Sequence, residues 1–157
     1  MSVQSVKEYL EPFGLDGRIR ELELSSATVE LAAVALGVEG ARIAKTISLH
    51  GSDSDCLLIV AAGDVKIDNV KFKARFGYKP KMLSPDEALM MTGHAVGGVC
   101  PFALPTGTPV YLDASLKRFS TVFPAAGSSN SALELNLDEL LDAANALGWV
   151  DVCKFKE

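Results

Sequence analysis

The chain has 157 residues, of which 48% are hydrophobic and 22% charged, with a formal net charge of −5. That length and composition suit one soluble domain over residues 1–157, with a sizeable core. The acidic balance argues against wrapping nucleic acid non-specifically, which needs a broad basic surface, but leaves room for a small patch that binds the end of one.

No apolar run is long enough to span a membrane, and Met1 to Lys7 lack the basic-then-apolar pattern of a secretory signal. Cys56, Cys100 and Cys153 are odd in number and far apart, which argues against a disulfide framework, and no pair has zinc-ligand spacing. A cytoplasmic protein is expected.

Residues 3–13 carry Val6, Tyr9, Leu10 and Phe13 on one helical face, with Gly14 as the stop. Residues 18–24 alternate as a half-exposed strand. Thr28 is placed to cap a helix over 29–36 that Gly37 ends. Residues 41–49 form the strand around which the rest is organised. Ile43, Ile47 and Leu49 share one parity, and Lys45 falls on it. An unpaired ammonium costs several kcal/mol or more to bury. Lys45 therefore either lines a polar cavity or carries its charge along its stem to solvent.

Residues 50–55 read as a polar turn in which Asp53 and Asp55 are solvated, and 56–62 as a fully apolar strand in a hairpin with 41–49. Asp68 caps a helix running through Arg75 and ended by Gly77, and 79–83 form a short strand. Ser84, Pro85 and Glu87 make a strong helix start, with the stop at Gly93. Strands over 108–112 and 120–123 flank a turn or short helix, and 131–135 is another strand. Asn136 and Glu139 open a final helix with Leu137, Leu140, Leu141, Ala144 and Leu147 inward and Gly148 past its end. Residues 149–153 add an edge strand, and the tail from Lys154 is expected to fray. Strands outnumber helices without regular alternation. This favours an α+β fold, a mixed, largely antiparallel sheet with helices around it, over a doubly wound parallel sheet.

Three stretches besides Lys45 carry chemistry. Gly93 to Phe102 contains paired Gly97 and Gly98, which leave backbone N–H groups open to a ligand carbonyl or phosphate, and Pro101 stiffens the loop; a plain turn is the other reading. His94 is either a general base or ribose-hydroxyl ligand, or a surface histidine past a helix end. Cys100 is a nucleophile or, with no base evident nearby in sequence, a small buried residue. Gly127, Ser128, Ser129 and Asn130 form a small polar loop. Lys66, Lys71, Lys73, Arg75, Lys79 and Lys81 make a local basic run, either a solvated helix face or a phosphate contact.

Lys45-Thr46 on a strand after a Thr28-capped helix, then Gly97-Gly98-Val99-Cys100-Pro101-Phe102, then Gly127 leading into Leu133-Glu134-Leu135 occur in that order. The set resembles the YbaK/prolyl-tRNA-synthetase-associated domain family of free-standing aminoacyl-tRNA deacylases, over about residues 3–147. The resemblance implies one compact domain whose mixed sheet curls toward a barrel. It implies hydrolysis of the ester between a wrongly attached amino acid and the terminal adenosine of a tRNA, centred on proline tRNA carrying alanine or cysteine, with relatives acting on serine or threonine esters. It implies no metal and no other cofactor.

Its partner is the acceptor end of a mischarged tRNA, with prolyl-tRNA synthetase as a candidate, and no membrane. Lys45 matches the family's central lysine. Gly97 and Pro101 match a Gly-x-x-x-Pro loop around the aminoacyl group, with Gly98 and Val99 inside it. The Gly127, Ser128 and Ser129 loop closes one side, and His94 contributes. The ester carbonyl needs donors where negative charge develops, which the Gly97 and Gly98 amides suit, while Lys45 holds the terminal phosphate, the substrate carbonyl or the α-amino environment. Water, or the substrate's own 2′-hydroxyl or side chain, serves as nucleophile. Many relatives have Asn where this chain has Thr46, and the free-standing cysteinyl type often has two arginines where Ser128, Ser129 and Asn130 stand. The alternatives from other classes are a non-catalytic module binding an aminoacyl-tRNA end or amino acid, and a small-molecule regulatory domain.

Overall fold

The computed structural model describes residues 2–52 and 55–156. Helix α1 (Ser2–Leu10) buries Val6 and Leu10 completely; Pro12, which cannot donate to a helical ladder, turns the chain into a 3-10 turn at Glu11–Phe13. The strand expected over 18–24 shrinks to β1 (Arg20–Glu21), because Leu24, in phase with it, is 60% exposed and has no core to face. Helix α2 (Val29–Leu36) starts where Thr28 Oγ1 accepts from the Leu31 N–H at 3.1 Å.

Strands β2 (Ile43–His50) and β3 (Cys56–Ala62) form the antiparallel hairpin, in register from Ala44 opposite Ala62 to His50 opposite Cys56. All seven residues of β3 are buried, as its unbroken apolar run requires. The turn assigned to Asp53 lies outside the described residues. A strand not foreseen, β4 (Val65–Ile67), follows and leads to the Asp68-capped α3 (Asn69–Phe76). The strand expected over 79–83 reduces to one bridge, Leu49 opposite Met82, which covers the outer edge of β2. Helix α4 (Pro85–Thr92) carries the full capping box of Ser84 and Glu87, with bonds of 3.2 and 2.9 Å.

Strands β5 (Val110–Asp113) and β6 (Thr121–Pro124) follow. The single strand expected over 131–135 is broken into β7 (Ser131–Ala132) and β8 (Leu135–Asn136), because the chain changes partner between them: β7 pairs with β1, and β8 with β6. Helix α5 (Leu137–Ala143) is shorter than expected. Asn145 turns left-handed (φ 49°) and ends it, leaving Leu147 65% exposed rather than inward. The last strands are β9 (Trp149–Val150) and β10 (Cys153–Phe155); β10 pairs with β4, so the tail through Phe155 is held rather than frayed.

The main sheet runs β8-β6-β2-β3-β5-β9 and curls as a half-barrel. β2 with β3 and β6 with β8 are antiparallel, while the β2–β6, β3–β5 and β5–β9 pairs are parallel. The fold is α+β with a mixed sheet, as the residues suggested. Leu58, Ile59, Leu112, Leu133, Leu135, Leu140, Phe72 and Phe102 are fully buried at its centre. The buried Asp113 carboxylate accepts from the Ser115 and Val152 N–H groups, both at 2.9 Å, and so ties the end of β5 to the approach to β10. Among the described residues no helix is long and apolar enough to cross a membrane.

Candidate active site

Strand β2 puts Ala44, Thr46 and Ser48 on one parity, and these residues line one wall of a pocket of about 460 Å3, at which Ile43 and Lys45, of the opposite parity, are also present. Ser26, Ala27 and Thr28, with the first turn of α2, make a second wall. Met82, Leu83 and the α4 residue Ala88 make a third, and Val96, Gly97 and Val99 a fourth. Most of this lining is apolar, so the few polar atoms define where a ligand's polar groups can go.

Lys45 is half-buried, and its Nζ donates to the carbonyl of Val65. Its pKa is lowered to about 8, first by burial and then by the positive charge of Lys156, against a smaller opposing pull from Cys153 and Asp64. An ammonium has three donors, and Val65 takes one. Beside it, Thr46 Oγ1 is buried without a hydrogen-bond partner among the described residues. A native fold rarely leaves such an atom unmatched unless a ligand or water completes it.

The two glycine loops meet here. A Cβ placed on Gly98 would sit 2.7 Å from both Cα and N of Ser128 and 2.8 Å from the Gly127 carbonyl carbon, all backbone. One on Gly97, at φ +97°, would sit 3.1 Å from the Ala27 Cβ. Only glycine permits this approach without displacement. The Gly98 N–H donates to Ala95 at 2.9 Å and closes the turn, whereas the Gly97 N–H has no acceptor among the described residues. The 127–131 loop is braced from within: Ser128 Oγ donates to Ser131 Oγ at 2.7 Å, and Asn130 Nδ2 to the Leu22 carbonyl at 3.1 Å. Ser129 O accepts from the Ser26 N–H at 2.6 Å, so this loop holds the Ser26–Thr28 wall in place.

Of the residues singled out in the sequence, Lys45, Gly97 and Val99 lie on the pocket wall. Gly98, Gly127, Ser128 and Ser129 form the layer behind it. Pro101 and His94 are buried but are not on the wall. His94 is 1% exposed rather than a surface group, and its Nε2–H donates to the Phe102 carbonyl at 2.7 Å, which leaves Nδ1 without a partner among the described residues. Burial lowers its pKa against the pull of that carbonyl. Cys100 lies 3.5 Å from His94 Nε2, but burial pushes its thiol up to about 12, so it is no nucleophile at neutral pH. Among the described residues no cluster of His, Cys, Asp and Glu could hold a metal ion.

Sequence reading missed the contributions of Ser26–Thr28, Met82 and Ala88 to the wall, and the exposure of Thr46 to the cavity. The run of small residues at Ala44, Thr46 and Ser48 on one parity was a usable signal for the last.

The sequence model of the aminoacyl-tRNA editing domain matches residues 25–143, a span that contains the pocket wall. The uncharacterized protein YwhH of Bacillus subtilis is 53% identical over 154 residues, 98% of each chain. EbsC of Enterococcus faecalis, a candidate Cys-tRNA(Pro)/Cys-tRNA(Cys) deacylase, is 29% identical over 119 residues, 75% of this chain and 73% of its own. The solved structure of a candidate trans-editing enzyme for prolyl tRNA synthetase superposes with a TM-score of 0.87 at 29% identity, covering 98% of this chain and 97% of that one. With Lys45 and the two abutting glycine loops all inside the matched span, the chain belongs to the aminoacyl-tRNA editing domain family, enzymes that deacylate aminoacyl-tRNA.

Proposed function

We propose that residues 1–157 act as one trans-editing domain that removes a small non-cognate amino acid, alanine, cysteine or serine, from proline tRNA. The observation that carries this reading is the meeting of Lys45, Thr46 and Gly97 on one mostly apolar pocket, with the Gly97 N–H and Thr46 Oγ1 both without a hydrogen-bond partner among the described residues. The names of EbsC and of the trans-editing neighbour support the choice of proline tRNA.

The aminoacyl group enters between the Ser26–Thr28 wall and the Gly97–Val99 wall. Water, oriented by the 2′-hydroxyl of the terminal ribose, attacks the ester carbonyl and passes its proton to the ribose oxygen that leaves. The Gly97 N–H and a free donor of Lys45 stabilise the oxyanion, the bond to the ribose oxygen breaks, and that oxygen leaves with a proton. Thr46 Oγ1 orients the attacking water or the α-amino group. Gly98, Gly127, Ser128 and Ser129 keep the walls at their spacing, and Pro101 and His94 hold the loop from behind. Selection among amino acids at this pocket would act as a second sieve. Prolyl-tRNA synthetase is the proposed partner that supplies the mischarged product.

The test is hydrolysis of proline tRNA charged separately with alanine, cysteine, serine and proline, wild type against Lys45→Ala. Selective loss of one non-cognate ester, slowed about 10²-fold or more in the variant, is expected for removal of an oxyanion donor. Full activity of Lys45→Ala on every ester the wild type accepts would overturn the assignment.

A further inference from the structure

In the basic run of residues 66–81, Lys66 stands on β4 opposite Lys154, and the other five residues fall into two groups. Lys71 is engaged by Asp151 at 3.1 Å and by the Cys153 carbonyl at 3.0 Å. Arg75 lies over the rings of Phe76 and Tyr111, 4.9 and 5.4 Å from their centroids. These two are structural. Lys73, Lys79 and Lys81 are exposed, and none of them makes an ion pair among the described residues. Lys73 and Lys79 both line a separate surface cleft between α3 and the following loop, together with Asn69, Val70, Ala74 and Pro80.

That loop continues directly into the active-site wall. Lys79 and Pro80 line the cleft, and Met82 and Leu83 line the pocket, about 10 Å further on at the rise of an extended chain. The segment is fixed against β2 by two backbone bonds, His50 N–H to Lys81 at 2.8 Å and Leu83 N–H to Ser48 at 3.0 Å. The acidic group nearest in sequence that bears on Lys81, Glu87, is held in the capping box of α4 and beside His50 at 3.4 Å. Three exposed cations without ion pairs among the described residues, in a chain of net charge −5, make a local basic patch that suits an anion laid along it.

We infer that Lys73, Lys79 and Lys81 form the docking track for the phosphodiester backbone of the tRNA acceptor stem, leading its acylated end into the pocket. The inference rests on the deacylase reading above. It adds where the nucleic acid lies, which fixes the contact as one of phosphate position rather than base sequence.

The experiment compares wild type, a track variant (Lys73→Gln, Lys79→Gln, Lys81→Gln) and a charge-matched control (Lys7→Gln, Lys66→Gln, Lys154→Gln), all at exposed positions. Uncharged tRNA binding is measured against salt, and deacylation is measured on aminoacyl-tRNA and on the same amino acid esterified to adenosine alone. The track variant is expected to weaken tRNA binding about tenfold or more and to lower the slope of log affinity against log salt by about 3, the release expected of three phosphate contacts on a duplex stem. Its KM for aminoacyl-tRNA rises in step, while hydrolysis of the adenosine ester stays at the wild-type rate and the control matches wild type throughout. Equal losses in track variant and control, an unchanged salt slope, or an equal loss on the adenosine ester would each overturn the track. Wild-type protein that binds tRNA through these lysines yet hydrolyses no ester would uphold the track and remove the deacylase reading instead.

Discussion

Gly98→Ala tests the joint between the two glycine loops most directly. The added methyl would lie 2.7 Å from Ser128 Cα and N and 2.8 Å from the Gly127 carbonyl carbon. All three neighbours are backbone, so no side chain can rotate aside. Ordinary contact begins at 3.4 Å, so the loops must part by about 0.7 Å. Overpacking of this kind costs about 1–3 kcal/mol. For a chain of this size that corresponds to a fall in melting temperature of about 2–12 °C. The displacement falls on the wall that holds Gly97 and, through Ser129, on the Ser26–Thr28 segment. Deacylation should therefore drop more than stability alone explains, by up to about 10²-fold for a misplacement near 1 Å. Gly17→Ala is the control. That site has nothing within 4 Å of a built Cβ and no left-handed φ, so its stability should stay within about 0.5 kcal/mol of wild type. Thermal melts and steady-state kinetics of the two variants decide the matter. A Gly98→Ala protein that melts within 1 °C of wild type with unchanged kcat/KM would refute the claim that this close approach sets the pocket wall.

Thr46→Val keeps the volume and removes a buried hydroxyl that has no partner among the described residues; denaturation should show a gain of about 1 kcal/mol while deacylation falls about tenfold or more, and a variant that is both less stable and fully active would count against the role given to Oγ1. On the proposed role of Lys45 as a charged donor, the enzyme-dependent rate, corrected for base hydrolysis of the ester, should be level below pH 7 and fall as pH rises through about 8, to which its pKa is depressed from 10.5. Lys156→Ala removes the second cause of that depression and should move the fall to higher pH; a profile level to pH 9.5 in wild type would exclude the ammonium from the rate. Cys100, fully buried with its thiol raised to about 12, should resist a thiol reagent at pH 8 in the native protein and react only on unfolding, as followed by mass spectrometry under increasing urea.

Local signals were readable where one segment decides its own structure. Thr28, Asp68, Ser84 and Asn136 all cap helices as their side-chain chemistry suggests, and the apolar run of Cys56–Ala62 is the central buried strand. What failed to show were features set by a distant partner. β4 and β10 are three residues each and exist because they pair with one another across about half the chain, Cys153 opposite Ile67 and Phe155 opposite Val65. Nothing in the Lys154 tail announces that partner. Residues 131–135 keep a strand-like sequence, yet their first half serves β1 and their second half β6.

The candidate site divides along the same line. Lys45 stood out because a charge on an apolar parity needs a reason, and that argument is local. Its meaning depends on Val65 and Lys156, which only the folded chain brings near. The paired glycines at Gly97 and Gly98 were legible as an opening for close approach, with a ligand as the natural guest. For Gly98 the guest is the protein itself, the backbone of Gly127 and Ser128 from thirty residues further on. Of the two, Gly97 keeps a place on the wall and an N–H that has no acceptor among the described residues. Two adjacent glycines thus divide the work: one lets the loops meet, and the other lines the pocket. A substitution at Gly98 should therefore disturb stability and activity together, whereas loss of the Gly97 amide would disturb activity with little change in packing.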